Sequence, residues 1–190
     1  MKIGLFFGSF NPIHVGHLAI ANIMVETTDF DQVWFVVSPQ NPLKNNEELV
    51  HEFDRIDMVE AAIYDNTKLR ATDIEFNMPK PSYTVDTLAY LSDKYPGYHF
   101  SLIIGEDNLR SFPKWKNNEA ILANYGLYVY PRPNTETSEL KDHPSVKWVK
   151  APLFDISATF IRQMLQRGRS IRYLVPDPVI EIINSRKLYV

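Results

Sequence analysis

The sequence predicts an α/β fold: a mostly parallel, doubly wound sheet with helices on both faces and a small helical part at the C-terminus. Short apolar runs of strand length recur along the 190 residues, and segments with apolar residues three and four apart lie between them. Strands that are apolar on both faces and joined by helices form parallel sheets. The length suits one well-cored domain, residues 1–190.

The elements follow one another in a regular order. Strands are predicted at residues 3–7, 33–37, 69–74, 100–104, 127–130 and 146–149. Helices are predicted between them, at residues 17–25, 53–64, 83–91 and 119–123. Residues 157–166 and 178–183 form two further helical segments with no strand between them. Ligands of such sheets bind beyond the carboxyl ends of the strands, so polar residues that follow a strand are the candidates for function.

Composition restricts the class of protein. The formal net charge of −3 gives no basic excess, so a nucleic-acid partner is not favoured. The chain has no cysteine, which excludes disulfides, a thiol nucleophile and thiolate metal ligands and is compatible with a reducing cytoplasm. No apolar run approaches the roughly 18 residues of a membrane span. We expect a cytoplasmic protein without a membrane partner, and the sequence is compatible with a homo-oligomer.

The stretch GSFNPIHVGHL, residues 8–18, follows the first predicted strand. Gly8 allows the backbone to turn sharply and approach a ligand, and Asn11 followed by Pro12 predicts the start of a helix. Backbone N–H groups at such a turn, with the positive end of the helix dipole, favour an anion such as phosphate. His14 and His17 lie three apart, on one face of a helical turn, and imidazoles can donate hydrogen bonds to phosphate oxygens.

The histidine pair has two other interpretations. Capping or local packing explains two histidines at this spacing about as well as phosphate chemistry does. A zinc site is the third interpretation, but it needs another ligand from elsewhere in a chain without cysteine.

The whole string resembles the G-x-F-(D/N)-P-x-H-x-G-H signature of the HxGH nucleotidylyltransferases. The resemblance implies a Rossmann-like fold, with the Gly8, Ser9 and Phe10 turn and both histidines against a nucleotide triphosphate. By matching positions, His17 stabilises negative charge on the α-phosphate. Asn11 stands where most members have Asp, which weakens any mechanism that needs a carboxylate there.

Two later segments resemble bacterial nicotinate-nucleotide adenylyltransferases within that superfamily. Residues 82–88, SYTVDTL, resemble the SYT-x-DTL element, in which backbone around Tyr83 and Thr84 holds the pyridine carboxylate. A helix start capped by Ser82 or Thr84 is the structural alternative. Residues 102–108, LIIGEDN, with a tryptophan downstream, resemble the I-I-G-x-D element. The resemblance implies that Trp115 stacks on the pyridine ring, and Ser9, Lys44, Asp107 and Lys116 complete the predicted mononucleotide site.

The ATP side is predicted from two further matches. Arg132 follows a predicted strand and resembles the family's R-P element near the adenine. Residues 156–162, ISATFIR, resemble the I-S-S-T-x-I-R motif, with Ala158 in place of the second serine. A capped amphipathic helix is the alternative interpretation of that segment. The residues predicted to bind ATP, besides the opening turn and its histidines, are Gly105, Asp107, Arg132, Ile156, Ser157, Thr159 and Arg162.

Two more positions match the family in the region after the second strand. Lys44 matches a phosphate-binding lysine of the P-P-H-K element, whereas Leu43 replaces its histidine. Arg55 matches a family arginine, and a surface salt bridge is its simple alternative.

The resemblance runs in order from residue 3 to residue 189 and implies a reaction. ATP and nicotinate mononucleotide would give nicotinate adenine dinucleotide and pyrophosphate by in-line attack, with Mg²⁺ accompanying ATP as co-substrate and no protein-bound metal. His14, His17, Lys44 and Arg162 are the predicted catalytic residues. Phosphopantetheine or nicotinamide mononucleotide are alternative substrates, and a non-catalytic nucleotide-binding protein is the alternative from another class. A class I aminoacyl-tRNA synthetase fragment is disfavoured because no K-M-S-K-S run occurs.

Overall fold

The computed structural model describes residues 1–40, 49–133 and 135–189, and within these ranges the chain forms six strands and seven α-helices. The strands are β1 Lys2–Gly8, β2 Gln32–Val37, β3 Leu69–Thr72, β4 His99–Gly105, β5 Leu127–Tyr130 and β6 Val146–Trp148. The helices are α1 Val15–Thr27, α2 Glu52–Ile63, α3 Thr84–Lys94, α4 Glu106–Ser111, α5 Asn118–Asn124, α6 Ala158–Gln166 and α7 Asp177–Arg186. Short 3₁₀ turns occupy Ile74–Asn77 and Phe112–Lys114.

The strands form one sheet in the order β3-β2-β1-β4-β5-β6, and every pair of neighbours is parallel. In the register, Leu5 of β1 lies between Trp34 of β2 and Leu102 of β4. The chain winds outward in both directions from β1 and β4, so the switch point lies between these two strands. The predicted Rossmann-like fold is confirmed.

Alternate residues of the strands build a separate apolar layer on each face of the sheet. Phe6 and Phe35 belong to the layer that includes residues of α1, α2, α6 and α7. Leu5 and Trp34, their neighbours in sequence, belong to the layer that includes residues of α3, α4 and α5. Because both faces are covered, the central strands β1, β2, β4 and β5 are mostly apolar, which is the pattern that predicted them. Among the described residues, no helix is both long and apolar enough to cross a bilayer.

Some predicted boundaries are wrong. The Asn11–Pro12 pair does not start a helix: Phe10 has a left-handed backbone (φ 45°), His14 is extended, and α1 begins only at Val15. The third strand ends at Thr72 and the sixth at Trp148, each short of its predicted end. The sequence prediction also missed α4, which follows β4 directly and is only six residues long.

Candidate active site

A cleft of about 1450 Å³ opens at the carboxyl ends of β1 and β4. It lies at the switch point of the sheet, where ligands of this fold class bind. Among the residues that line it are all the site residues predicted from sequence except one: Gly8, Ser9, Phe10, His14, His17, Tyr83, Thr84, Gly105, Asp107, Trp115, Lys116, Arg132, Ile156, Ser157, Thr159 and Arg162. The exception, Lys44, lies outside the described residues, as does Leu43.

The turn after β1 is shaped by one close approach. The ring of Phe10 folds back over Gly8, and a Cβ at that glycine would lie 2.7 Å from the ring. Any larger residue at position 8 would therefore displace Phe10, which is buried and carries the left-handed backbone of the turn. The requirement for glycine is steric, and it keeps the end of β1 open to the cleft.

The two histidines lie together at the start of α1. His14 is the N-cap residue, and its ring stacks on that of His17 with centroids 3.7 Å apart. The edge of the Phe10 ring packs against His17 at 5.1 Å. Burial, with a smaller contribution from the positive charge of Arg132, lowers the pKa of His14 to about 4. The His14 ring is therefore neutral at pH 7, and among the described residues its buried Nδ1 has no hydrogen-bond partner.

Asn11 is a structural junction behind the turn. It is buried, and its Oδ1 accepts hydrogen bonds from the Tyr189 hydroxyl at 2.8 Å and from the Val50 N–H at 3.3 Å. Its backbone carbonyl accepts a bond from Arg162 Nη1 at 3.0 Å. These contacts give the asparagine a packing role, for which a carboxylate is not required.

The amino end of α6 forms one wall of the cleft. Ser157 caps this helix, since its hydroxyl oxygen accepts the Phe160 N–H at 3.2 Å, which is the capping interpretation of the segment. The hydroxyl proton of Ser157 is not used by that bond and can be donated to a ligand. Arg162 also donates from Nη2 to the Thr159 hydroxyl at 3.4 Å. Hydroxyls and a guanidinium are thus gathered at a helix N-terminus, which is a favourable arrangement for phosphate.

The end of β4 supplies the opposite wall. A Cβ at Gly105 would collide with the carboxylate of Asp107 and would approach the ring of Tyr130 to 3.3 Å. Arg132 Nε lies 3.6 Å from Asp107 Oδ1, and its guanidinium lies over the Tyr130 ring at 5.5 Å. Burial raises the pKa of Tyr130 to about 12, so its hydroxyl stays protonated at neutral pH.

A third part of the cleft contains the start of α3 and Trp115. Neither Ser82 nor Thr84 caps α3, because the N-cap residue is Tyr83 and no side chain bonds the first turn. Ser82 instead donates its hydroxyl to the buried carboxylate of Glu75 at 2.9 Å. The amino end of α3 is thereby left open to the cleft.

Trp115 has both a packing contact and a place in the lining of the cleft. It is half-buried against Phe112, with ring centroids 5.2 Å apart, and it also lines the cleft. Lys116 beside it pairs with Asp86 of α3 at 2.8 Å and lies over the Tyr83 ring at 4.7 Å. These contacts join the tryptophan segment to the start of α3.

Two buried charged groups near the cleft were not recognised from sequence. Glu75 is 2% exposed, and its carboxylate also accepts the Thr87 hydroxyl at 2.7 Å. Arg55 does not form the surface salt bridge considered above: it is 1% exposed and bonds backbone carbonyls. A charged residue at an apolar position of a helical or strand pattern is the signal that could have identified both.

Among the described residues, no three His, Asp or Glu side chains lie close enough together to form a metal site. Exposed carboxylates do line the cleft, at Asp107, Glu136 and Asp155, but they are not clustered. Dispersed carboxylates of this kind suit Mg²⁺ bound mainly by substrate phosphates and water. They do not suit a structural metal.

The chain matches known proteins over most of its length. The cytidylyltransferase-like family model matches residues 5–164. A probable nicotinate-nucleotide adenylyltransferase of Cytophaga hutchinsonii is 66% identical, covering 100% of this chain and 98% of that protein. A probable nicotinate-nucleotide adenylyltransferase of Flavobacterium psychrophilum is 52% identical, covering 100% of this chain and 99% of that protein.

Solved structures show the same fold. The nicotinic acid mononucleotide adenylyltransferase of Plasmodium falciparum complexed with NaAD superposes with a TM-score of 0.84 at 21% identity, covering 99% of this chain and 97% of that one. A putative nicotinate-nucleotide adenylyltransferase of Vibrio parahaemolyticus gives a TM-score of 0.73 at 23% identity, with coverage of 99% and 94%. The resemblance read from the motifs thus extends over the whole chain at high identity, and the chain belongs to the nicotinate-nucleotide adenylyltransferase family.

Proposed function

We propose that the protein transfers the adenylyl group of ATP to nicotinate mononucleotide, giving nicotinate adenine dinucleotide and pyrophosphate in NAD biosynthesis. The observation that carries the proposal is that one cleft joins a phosphate-binding region to an aromatic region. The stacked histidines and Arg162 lie in the first region, and Tyr83 and Trp115 lie in the second. The family to which the chain belongs agrees with this reaction.

The chemistry requires little from the protein beyond placement and charge. The attacking group is the phosphate of the mononucleotide, which is already an anion at neutral pH, so no general base and no covalent intermediate are needed. The protein must align two like-charged phosphates and stabilise the charge that develops at the α-phosphate. Donors near the turn after β1 meet this need, and we assign the α-phosphate to His17 and the outer phosphates to His14 and Arg162. Lys44, which lies outside the described residues, is assigned to a substrate phosphate from the family match alone.

The two ends of the cleft suit different parts of the substrates. We place the adenosine against the end of β4 and the amino end of α6, where Asp107 can accept bonds from ribose hydroxyls. The pyridine ring is placed on Trp115, with its carboxylate at the open amino end of α3, where backbone N–H groups and the helix dipole favour an anion. Mg²⁺ bound with ATP would neutralise phosphate charge while held mainly by phosphate oxygens and water.

A pyrophosphate-release assay tests the proposal directly. Purified protein is given ATP with nicotinate mononucleotide, nicotinamide mononucleotide or phosphopantetheine in parallel. The fastest release is expected with nicotinate mononucleotide, and the dinucleotide product should be recovered in equal amount. If pyrophosphate is released only when phosphopantetheine is the second substrate, phosphopantetheine is the substrate in place of nicotinate mononucleotide. Release with none of the three compounds would favour a non-catalytic nucleotide-binding role.

A further inference from the structure

Arg55, in the first turns of α2, is a buried cation directly behind the turn that follows β1. Burial lowers the pKa of its guanidinium, but an arginine remains protonated at any physiological pH. Among the described carboxylates none forms a salt bridge with it, and nearby Glu52 pairs with Lys80 at 3.0 Å. A buried charge without a counter-ion is costly unless its donors are well bonded.

Four of the five N–H donors of the guanidinium bond to backbone carbonyls. Nη1 donates to the carbonyls of Ser9 and Ser38, both at 2.7 Å, Nη2 to that of Pro39 at 3.1 Å, and Nε to that of Val50 at 3.0 Å. Ser9 belongs to the turn after β1, whereas the other three residues flank the connection between β2 and α2. One side chain therefore fixes that turn to both ends of the neighbouring connection.

The bond to Ser9 has a directional consequence. A peptide unit is planar and trans, so the N–H of Phe10 points the opposite way from the Ser9 carbonyl. Since that carbonyl points back at Arg55, the Phe10 N–H is held pointing away from Arg55. Ser9 and Phe10 both line the cleft, whereas Arg55 lies behind them. The same relation holds between the Pro39 carbonyl and the N–H of Gln40, which also lines the cleft.

The turn after β1 is also linked to Arg55 indirectly, through Asn11 and Val50. The N–H of Val50 donates to Asn11 Oδ1, while the carbonyl of Val50 accepts from Arg55. The turn is thus held at Ser9 directly and at Asn11 through Val50. Phe10, between these two points, has the left-handed backbone that a non-glycine residue adopts only when its surroundings impose it.

We propose that Arg55 is a positioning residue for the triphosphate of ATP: by holding these carbonyls it aims the backbone N–H groups of the turn into the cleft and places a buried positive charge behind them. The inference rests on the function proposed above. It differs from a purely structural role, which would affect stability but not the affinity for one substrate. Bonding to carbonyls is consistent with this role, because a carboxylate partner would cancel the positive potential at the phosphate site.

The test compares Arg55→Lys and Arg55→Met with a control that removes a charge far from the cleft. Asp29→Asn serves as control, because Asp29 bonds Lys2 and Tyr128 at the opposite end of β1, and these bonds lower its pKa to about 2. Each protein is checked for folding by circular dichroism and thermal unfolding. ATP affinity is then measured by calorimetry with Mg²⁺, and KM is measured for ATP and for nicotinate mononucleotide.

Arg55→Lys keeps the charge but cannot reach four carbonyls, so its ATP affinity should fall about tenfold. Arg55→Met loses both the charge and the bonds to the carbonyls. Its ATP affinity should fall about 100-fold, the scale for misplaced binding groups. Asp29→Asn should lower the melting temperature and leave ATP affinity within about threefold of the parent.

The inference is wrong if Arg55→Met folds and binds ATP within about threefold of the parent. If Arg55→Met does not fold, an ATP affinity of Arg55→Lys within about threefold of the parent would overturn the inference instead. Equal losses of ATP affinity in Arg55→Lys and Asp29→Asn would also overturn it. The proposed function fails separately, if the parent protein binds ATP but forms no dinucleotide.

Discussion

The imidazole rings of His14 and His17 stack 3.7 Å apart, and His14 is held neutral. Two cationic rings at this separation would repel each other. A neutral His14 avoids this repulsion, and in the proposed function it can still donate one N–H to a phosphate oxygen. The packing of the two histidines against each other is therefore compatible with the phosphate-binding role proposed for them.

The first prediction concerns His17. Replacement by alanine should lower kcat by about 10²–10³, the scale for removing one placed donor that stabilises transition-state charge. The control is His99→Ala, at the exposed start of β4 and remote from the cleft, which should leave kcat near that of the parent. Steady-state rates of both variants and the parent decide the matter. A His17→Ala rate within about threefold of the parent would exclude the assigned role.

The second prediction concerns pH. The pKa of His14 is about 4 in the folded protein, below the ordinary histidine value of 6.5 expected for the unfolded chain. At a pH between these two pKa values, His14 binds a proton in the unfolded chain but not in the folded protein. The free energy of unfolding should fall by about 3 kcal/mol from this residue as pH drops through that window. Urea unfolding at several pH values should show a weaker dependence for His14→Gln, and parallel pH profiles for parent and variant would contradict the shift.

The third prediction concerns Trp115. Trp115→Ala should raise the KM for nicotinate mononucleotide by about tenfold or more and leave the KM for ATP nearly unchanged, because stacking on one base contributes about 1–3 kcal/mol. Trp115→Phe keeps a ring and should retain most of the affinity. Both changes reduce packing on Phe112, so melting temperatures are compared as well. Unchanged KM for the mononucleotide in the alanine variant would refute stacking.

The positions of the strands along the chain and of most helices could be predicted from sequence, because strands that are buried on both faces leave continuous apolar runs. Helix α4 could not be predicted, since its six residues make fewer than two turns and its Asp107 was assigned to the site. The start of α1 was misplaced for a different reason. Asn11 and Pro12 are common at helix starts, but the local preference is overridden by the contacts of Asn11 with Tyr189 and Val50.

The site residues could be proposed because their motifs follow the carboxyl ends of strands, and the parallel sheet brings these ends together. The role of Arg55 could not be predicted, because its partners are backbone carbonyls that leave no trace in side-chain identity. The Asn11 contact with Tyr189 spans 178 positions, so no local pattern reports it. Groups that act directly on a ligand are thus easier to identify from sequence than groups that hold them.

Glu75 provides the last prediction, on the mononucleotide side of the cleft. Its carboxylate accepts the hydroxyls of Ser82 and Thr87 and so fixes the segment that begins α3. Burial raises the pKa of this carboxyl, opposed in part by its hydrogen bonds. If hydrogen bonding matters more than charge, Glu75→Gln should preserve function, because each hydroxyl can either donate to the amide oxygen or accept from the amide nitrogen.

Glu75→Ala should instead raise the KM for nicotinate mononucleotide about tenfold and lower the free energy of unfolding by about 2–4 kcal/mol, since it removes the acceptor shared by two buried hydroxyls and opens a cavity. The KM for ATP should change little in either variant. Kinetics with each substrate varied in turn, together with urea unfolding, test both expectations. Equal impairment of Glu75→Gln and Glu75→Ala would mean that the negative charge itself is required at the start of α3.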